Sequence, residues 1–136
     1  MLRYVERIFP GQKSSKTMTD ILEATVHNED SARLDARGVA KLYDVTLVDI
    51  ANAIGKSEDT VRKNSYSAPI QEKLGILVDC FARVYDLMQH DERAVRRWMH
   101  RPNRGLDGER PIALLQSGRL AELRTTVRQM ETASYA

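Results

Sequence analysis

The chain has 136 residues, with 21 Lys plus Arg against 19 Asp plus Glu, and 42% of it is hydrophobic. That length holds one core of ordinary size or two small helical subdomains sharing an interface, while a net charge of only +2 excludes a nucleic-acid coat or a polybasic membrane binder. A single cysteine, Cys80, excludes an internal disulfide, and no apolar run reaches the roughly 18 residues of a membrane span or forms a signal-peptide core, so the expected compartment is the reducing cytoplasm.

Residues 1–33 read as a weakly ordered arm. Pro10-Gly11-Gln12-Lys13-Ser14-Ser15-Lys16 has no periodicity and is rich in turn formers, with a short element expected at Tyr4 to Phe9 and a short helix or strand through Ile21, Leu22, Ala24 and Val26. Residues 34–90 form the next unit. Asp35 is placed to cap a helix whose stripe is Val39, Leu42 and Tyr43, with Asp44 at its close. Thr46 caps a second helix with Val48, Ile50, Ala51 and Ile54 as apolar positions, and Gly55 follows where a helix end wants a left-handed residue. Ser57 starts a third, with Glu58 and Asp59 in the first turn, where the macrodipole favours negative charge. Helix, glycine-containing tight turn, helix over Asp49 to Arg62 is the signature of a helix-turn-helix.

Pro69 then opens a long helix with Ile70, Leu74, Leu77, Val78, Phe81, Val84, Tyr85 and Met88 at three and four residue steps. Gly75 within it is expected to mark a close helix contact, and Cys80 a small buried core position. Residues 91–136 form the last unit. Asp91 starts a helix through Val95, Trp98 and Met99, a Pro102-Asn103 turn follows, and Pro111 opens a short helix holding Ile112, Leu114 and Leu115. Ser117 is expected to cap a final helix with Leu120, Leu123, Val127 and Met130 as its stripe, which makes the fold class all-α.

No catalytic constellation stands out. His27, His90 and His100 are far apart and none has a metal-ligand spacing, and Gly105-Leu106-Asp107-Gly108 lacks the preceding strand a phosphate-binding glycine motif needs. Binding is therefore the expected class, with no metal, no cofactor and no enzymatic activity.

Two surfaces carry that expectation. In the helix-turn-helix, Lys56, Ser57, Thr60, Arg62 and Lys63 are the residues placed to meet a DNA groove or backbone, while Glu58 and Asp59 in the same turn repel phosphate unless they point away. Two or three phosphate contacts per chain bind weakly, so operator recognition requires a homodimer on two half-sites; the alternative is a motif kept as a scaffold or dimer surface. The other surface is C-terminal. Residues 101–136 carry six basic side chains against four acidic ones, the whole excess of the chain, and all six are arginines: Arg101, Arg104, Arg110, Arg119, Arg124 and Arg128. A guanidinium stacks and forks onto carboxylates, which suits a protein interface, although solubilising arginines, a core Trp98 and a helix-stopping Pro102-Asn103 account for the same residues more plainly. The tail Glu131-Thr132-Ala133-Ser134-Tyr135-Ala136 carries an aromatic, Tyr135, with no core left to join.

Trp98, Pro102, Asn103 and Leu106, followed by Pro111, Leu114, Leu115 and Gly118, give a Trp-x-x-x-Pro-Asn-x-x-Leu pattern, then Pro-x-x-Leu-Leu and a Gly. With the preceding helix-turn-helix, this resembles the Xre/MbcA/ParS-like antitoxins over about residues 34 to 131. The short, weakly basic helix after Ser57 departs from that family's operator-binding pattern. The resemblance implies the antitoxin of a type II toxin-antitoxin pair whose partner is an RES-type or ADP-ribosyl-transferring toxin that uses NAD. It implies steric blocking of the NAD cleft through Trp98, Arg101, Pro102, Asn103, Arg104, Leu106, Arg110, Arg119 and Tyr135, with autoregulation by DNA binding in a hetero-oligomer. A free-standing helix-turn-helix transcriptional regulator is the alternative.

Overall fold

The computed structural model describes residues 26–28 and 33–135. Two short strands, β1 (Val26–Asn28) and β2 (Arg33–Leu34), pair antiparallel with Val26 opposite Leu34. Seven α-helices follow among the described residues: α1 (Ala36–Tyr43), α2 (Leu47–Ile54), α3 (Glu58–Asn64), α4 (Ala68–Leu87), α5 (Glu92–His100), α6 (Pro111–Gln116) and α7 (Leu120–Tyr135), with a 3-10 turn at Arg104–Leu106 between α5 and α6. The fold is all-α. Of the elements expected in the arm, those at Tyr4 to Phe9 and Ile21 to Ala24 lie outside the described residues, and Val26 is in β1. The ribbon is tied to the helices by Gln71, whose side-chain amide accepts from the Leu34 amide (2.9 Å) and donates to the Leu34 and Ser65 carbonyls (2.8 Å each).

The helix boundaries follow local chemistry. Asp35 accepts from the Arg37 amide, Thr46 and Asp49 form a reciprocal capping box, and Ser57 accepts from the Thr60 amide, so each of α1, α2 and α3 has an orphan donor satisfied by a side chain. Asp44 (φ 57) and Gly55 (φ 73) end α1 and α2 in the left-handed region, and Pro69 and Pro111 stand in the first turns of α4 and α6.

These helices share one core. α4 runs through it, lying against α7 on one side and α1 and α5 on others, while α2 packs on α6. Val39, Ile50, Val61, Leu74, Leu77, Phe81, Leu114, Leu115 and Leu123 are all sealed from solvent in the same cluster; each such side chain contributes about 1.5–3 kcal/mol by leaving water. Tyr43 meets Phe81 edge-on at 5.3 Å between ring centres and donates its hydroxyl to the Leu77 carbonyl, so its polar end is satisfied inside the core.

Three expectations are corrected. A Cβ at Gly75 would find no heavy atom within 4 Å, so Gly75 marks no close helix contact; the close approach is at Gly118 (φ +76), where a Cβ would lie 3.0 Å from the Asn52 carbonyl oxygen. Ser117 ends α6 rather than capping α7, because its hydroxyl donates to the Ala113 carbonyl (2.6 Å) and Gly118 makes the turn. Val48 is not a core position: it is 46% exposed, while Ile50, Ala51 and Ile54 of the same helix are buried.

Cys80 is buried on α4 as expected, and burial, reinforced by the Asp79 carboxylate, pushes its thiol from 9.0 to about 11. A folded-state value raised above the unfolded one favours the native state below about pH 9, and that contribution is lost as the pH rises to about 11. At pH 8 a thiol reagent is expected to label the native chain on the order of 100-fold more slowly than the denatured chain. Labelling at equal rates would show that Cys80 is open to solvent.

Candidate protein-docking surface

The arginine-rich segment is built on a loop that closes on itself. Asp91 caps α5 by accepting from the Arg93 and Ala94 amides (3.0 and 3.2 Å), and Val95 and Met99 anchor that helix in the core. After Pro102, Asn103 organises the turn: its side-chain oxygen accepts from the Gly105 amide (2.8 Å), its carbonyl accepts from Leu106 and Gly108 (3.0 Å each), and its own amide donates to the Glu109 carbonyl (2.9 Å). Asp107 (φ 54) and Gly108 (φ 87) turn the backbone to bring Glu109 alongside.

Glu109 then ties the loop to the start of α7. Both oxygens of its carboxylate receive the fork of Arg119, Nη1 at 2.9 Å to Oε1 and Nη2 to Oε2, while Arg119 Nε donates to the Ser117 hydroxyl at 2.9 Å. Hydrogen bonding from Arg119 lowers the Glu109 carboxyl below its usual range and raises the Arg119 guanidinium. Further along, Arg83 on α4 donates to Asp79 (2.8 Å) and to both oxygens of Glu131 (3.0 and 3.1 Å), which holds the far end of α7.

The nine residues assigned to this surface from sequence therefore divide. Arg101, Arg104 and Arg110 are exposed and engage in no ion pair among the described residues. Arg119 has its fork occupied within the chain, so it shapes the surface instead of offering free donors to it. Asn103 likewise organises the backbone, and Pro102 is exposed beside it. Trp98 and Leu106 are half-buried against the core. With Gly105 it forms one wall of a shallow groove of about 280 Å³ whose other wall is Ala121, Glu122, Thr125, Thr126 and Gln129 of α7. Tyr135 is the last residue of α7. Sequence reasoning missed Glu109, because its partner lies ten positions away across a turn and neither carries a local signal; the α7 wall was hidden because only contact with the loop makes those polar positions a surface.

The helix-turn-helix stands as expected, with α2 and α3 joined by Gly55, Lys56 and Ser57. Its polar side chains are mostly committed. The Ser57 hydroxyl donates to that of Thr60 (2.8 Å), and Asp59 pairs with Arg62 (3.4 Å) and Lys63 (3.2 Å), leaving Lys56 as the one cation of α2 to α3 without an ion pair among the described residues. No group of three or more His, Cys, Asp or Glu suited to a metal occurs among the described residues, and none of their helices is long and apolar enough to cross a membrane.

A helix-turn-helix thus shares its core with a helical cap that presents an arginine-bearing turn. Residues 83–131, from the last turn of α4 to near the end of α7, match the antitoxin Xre/MbcA/ParS C-terminal toxin-binding domain. A probable mycobacterial cidal antitoxin of Mycobacterium tuberculosis is 31% identical over 98 residues, spanning 70% of this chain and 84% of that protein. The chain belongs to the Xre/MbcA/ParS-like antitoxins of toxin-antitoxin systems, whose C-terminal domain takes a toxin as its partner.

Proposed function

We propose that the chain neutralises a toxin that uses NAD, of RES-type or ADP-ribosyl-transferring fold, by seating the 101–110 turn and the adjoining face of α7 over the rim of the toxin's cofactor cleft. The observation that carries this reading is the set of guanidinium groups at Arg101, Arg104 and Arg110 that are in no ion pair among the described residues, carried on a loop whose backbone is closed by Asn103 and clamped by Glu109 to Arg119. A preorganised loop loses little conformational freedom on docking, so its contacts convert more fully into affinity. A cleft that receives a pyrophosphate is itself basic, so these arginines fit acidic groups on the rim beside it, and blocking is steric.

The test is a titration of the chain into its purified toxin with NAD consumption as the readout. Turnover is expected to cease near equimolar chain, with NAD and antitoxin competing for the toxin. A complex that forms and still turns over NAD at the free rate would overturn the reading. Truncation is a poor probe here: Ile112, Leu114, Leu115, Leu123 and Val127 complete the core under α2 and α4, so removing the cap would expose apolar side chains of both helices.

The observed helix-turn-helix favours a second activity, autoregulation by operator DNA contact through Lys56 and the exposed edge of α3. With Arg62 and Lys63 already paired to Asp59, a single chain offers about one phosphate contact, which corresponds to a salt slope of roughly −0.9 per chain. Operator affinity therefore depends on several chains acting together.

A further inference from the structure

Residues 91–110 carry six arginines against four acidic side chains, a difference of +2 that equals the net charge of the whole chain, so the remaining residues sum to zero. Two of the four acids are occupied within the fold, Glu92 by Arg96 at 2.8 Å and Glu109 by Arg119. The 101–110 turn holds only part of this excess; α5 holds the rest. Arg93, Arg97 and His100 stand at steps of four and three on one side of α5, all exposed, while Val95 and Met99 on its other side are buried. Arg93 is in no ion pair among the described residues. Arg97 approaches Asp91 at 3.9 Å, with both side chains more than half exposed, a contact too wet to neutralise it. Arg93 and Arg97 lie about 6 Å apart along the helix axis, and Arg101 and Arg104 continue the basic row into the turn.

We propose that the α5 row of Arg93 and Arg97 is a steering surface for the toxin: it sets how fast the toxin is captured, while the turn sets how long it is held. The proposal rests on the reading that the turn docks on an acidic rim. Continuity assigns the partner, because the row lies within residues 83–131, the match to the toxin-binding domain, and leads directly into Arg101. Its make-up is that of a rim. The centre of a protein interface is desolvated and apolar, and the row contains no apolar side chain; Leu106 and Ala121 belong to the groove at the turn. Charges on a rim act through their field before contact, so they raise the association rate and its dependence on salt, with little effect on dissociation. A nucleic acid fits less well, because this side of α5 has no small polar group to read base edges and Asp91 and Asp107 flank the row.

Stopped-flow mixing of the full chain with its purified toxin reads both rates, from about 0.01 M to about 1 M ionic strength, over which the screening length falls from about 30 to about 3 Å. Arg93→Glu with Arg97→Glu is expected to slow association about 10-fold at the low end and to come within about 2-fold of wild type at the high end. Its dissociation rate is expected to stay within about 2-fold of wild type. Arg93→Gln with Arg97→Gln, which removes the charge without reversing it, is expected to slow low-salt association about 3-fold. Circular dichroism melting checks folding of both double variants. Lys73→Glu, an equal single reversal on an exposed position of α4 outside residues 83–131, is expected to slow association less than Arg93→Glu alone.

Association that is unchanged in both double variants at low salt overturns the proposal. So does a faster dissociation with association unchanged, which would place the two arginines inside the bound interface, and so does an equal slowing by Lys73→Glu, which would assign the effect to net charge. Unchanged toxin rates with weakened binding of a DNA duplex would assign the row to nucleic acid and are equally fatal. The cofactor-cleft reading fails separately: a toxin captured at the salt-dependent rate that still turns over NAD sinks that reading alone, and capture insensitive to salt that stops turnover sinks this one alone.

Discussion

Converting Arg101, Arg104 and Arg110 together to glutamate is expected to abolish toxin capture, weakening it about 1,000-fold or more, while leaving the chain as stable as wild type. A hydrogen bond from a charged donor contributes about 1.5–3 kcal/mol, and reversal replaces three such donors with carboxylates that the acidic rim proposed for the toxin would repel. Stability is preserved because all three side chains are exposed and engage no ion pair among the described residues; surface changes of that kind stay within about 0.5 kcal/mol. Arg119 is the informative contrast. Arg119→Ala removes the clamp on Glu109 and frees the loop, so its expected effect is a smaller loss of affinity, and the exchange of Glu109→Arg with Arg119→Glu is expected to recover part of it by rebuilding the pair in reverse. Calorimetry on the purified complex decides the matter, and wild-type affinity in the triple variant would remove this face from the interface.

Gly118→Val is expected to cost about 3 kcal/mol or more and to lower the melting temperature by roughly 10 °C. Two effects add. A β-branched residue is strained at φ +76, and its Cβ would lie 3.0 Å from the Asn52 carbonyl oxygen, a backbone atom at the end of α2 that cannot swing aside. The corner between α6 and α7 therefore has to rise off α2, opening the core shared by Leu114, Leu115 and Ile50. Two controls separate the causes. Gly55→Ala meets no atom within 4 Å at φ +73, so only the left-handed strain of about 1 kcal/mol applies, and Gly75→Ala, open and helical, is expected to stabilise by up to about 1 kcal/mol. Equal losses at Gly118 and Gly55 in thermal melts would show that the close approach to Asn52 has no weight.

Much of the local structure was legible in the sequence because it is governed by near neighbours. Asp35, Thr46, Ser57 and Asp91 each cap a helix by accepting from an amide two or three residues ahead, Gly55 ends one, and Leu74, Leu77, Phe81 and Val84 repeat at helical steps. The turn motif around Trp98, Pro102 and Asn103 was legible for the same reason, since Asn103 bonds within its own loop. The placement of Val48 was not, because a helical stripe says which residues share a face but not where the neighbouring helix stops covering it.

What the order of residues determined by itself, then, is an all-α chain with capped helices, a helix-turn-helix and an arginine-bearing turn of a recognisable antitoxin family. Only the tertiary structure decided which arginines are available, Arg101, Arg104 and Arg110, and which one holds the loop, Arg119; only it moved the critical glycine from 75 to 118 and exposed Val48. The physical reason is range. Caps and stripes depend on atoms a few bonds or one helical turn away, whereas the availability of a guanidinium or the clearance at a glycine depends on which distant backbone or carboxylate the folded chain brings within about 3 Å.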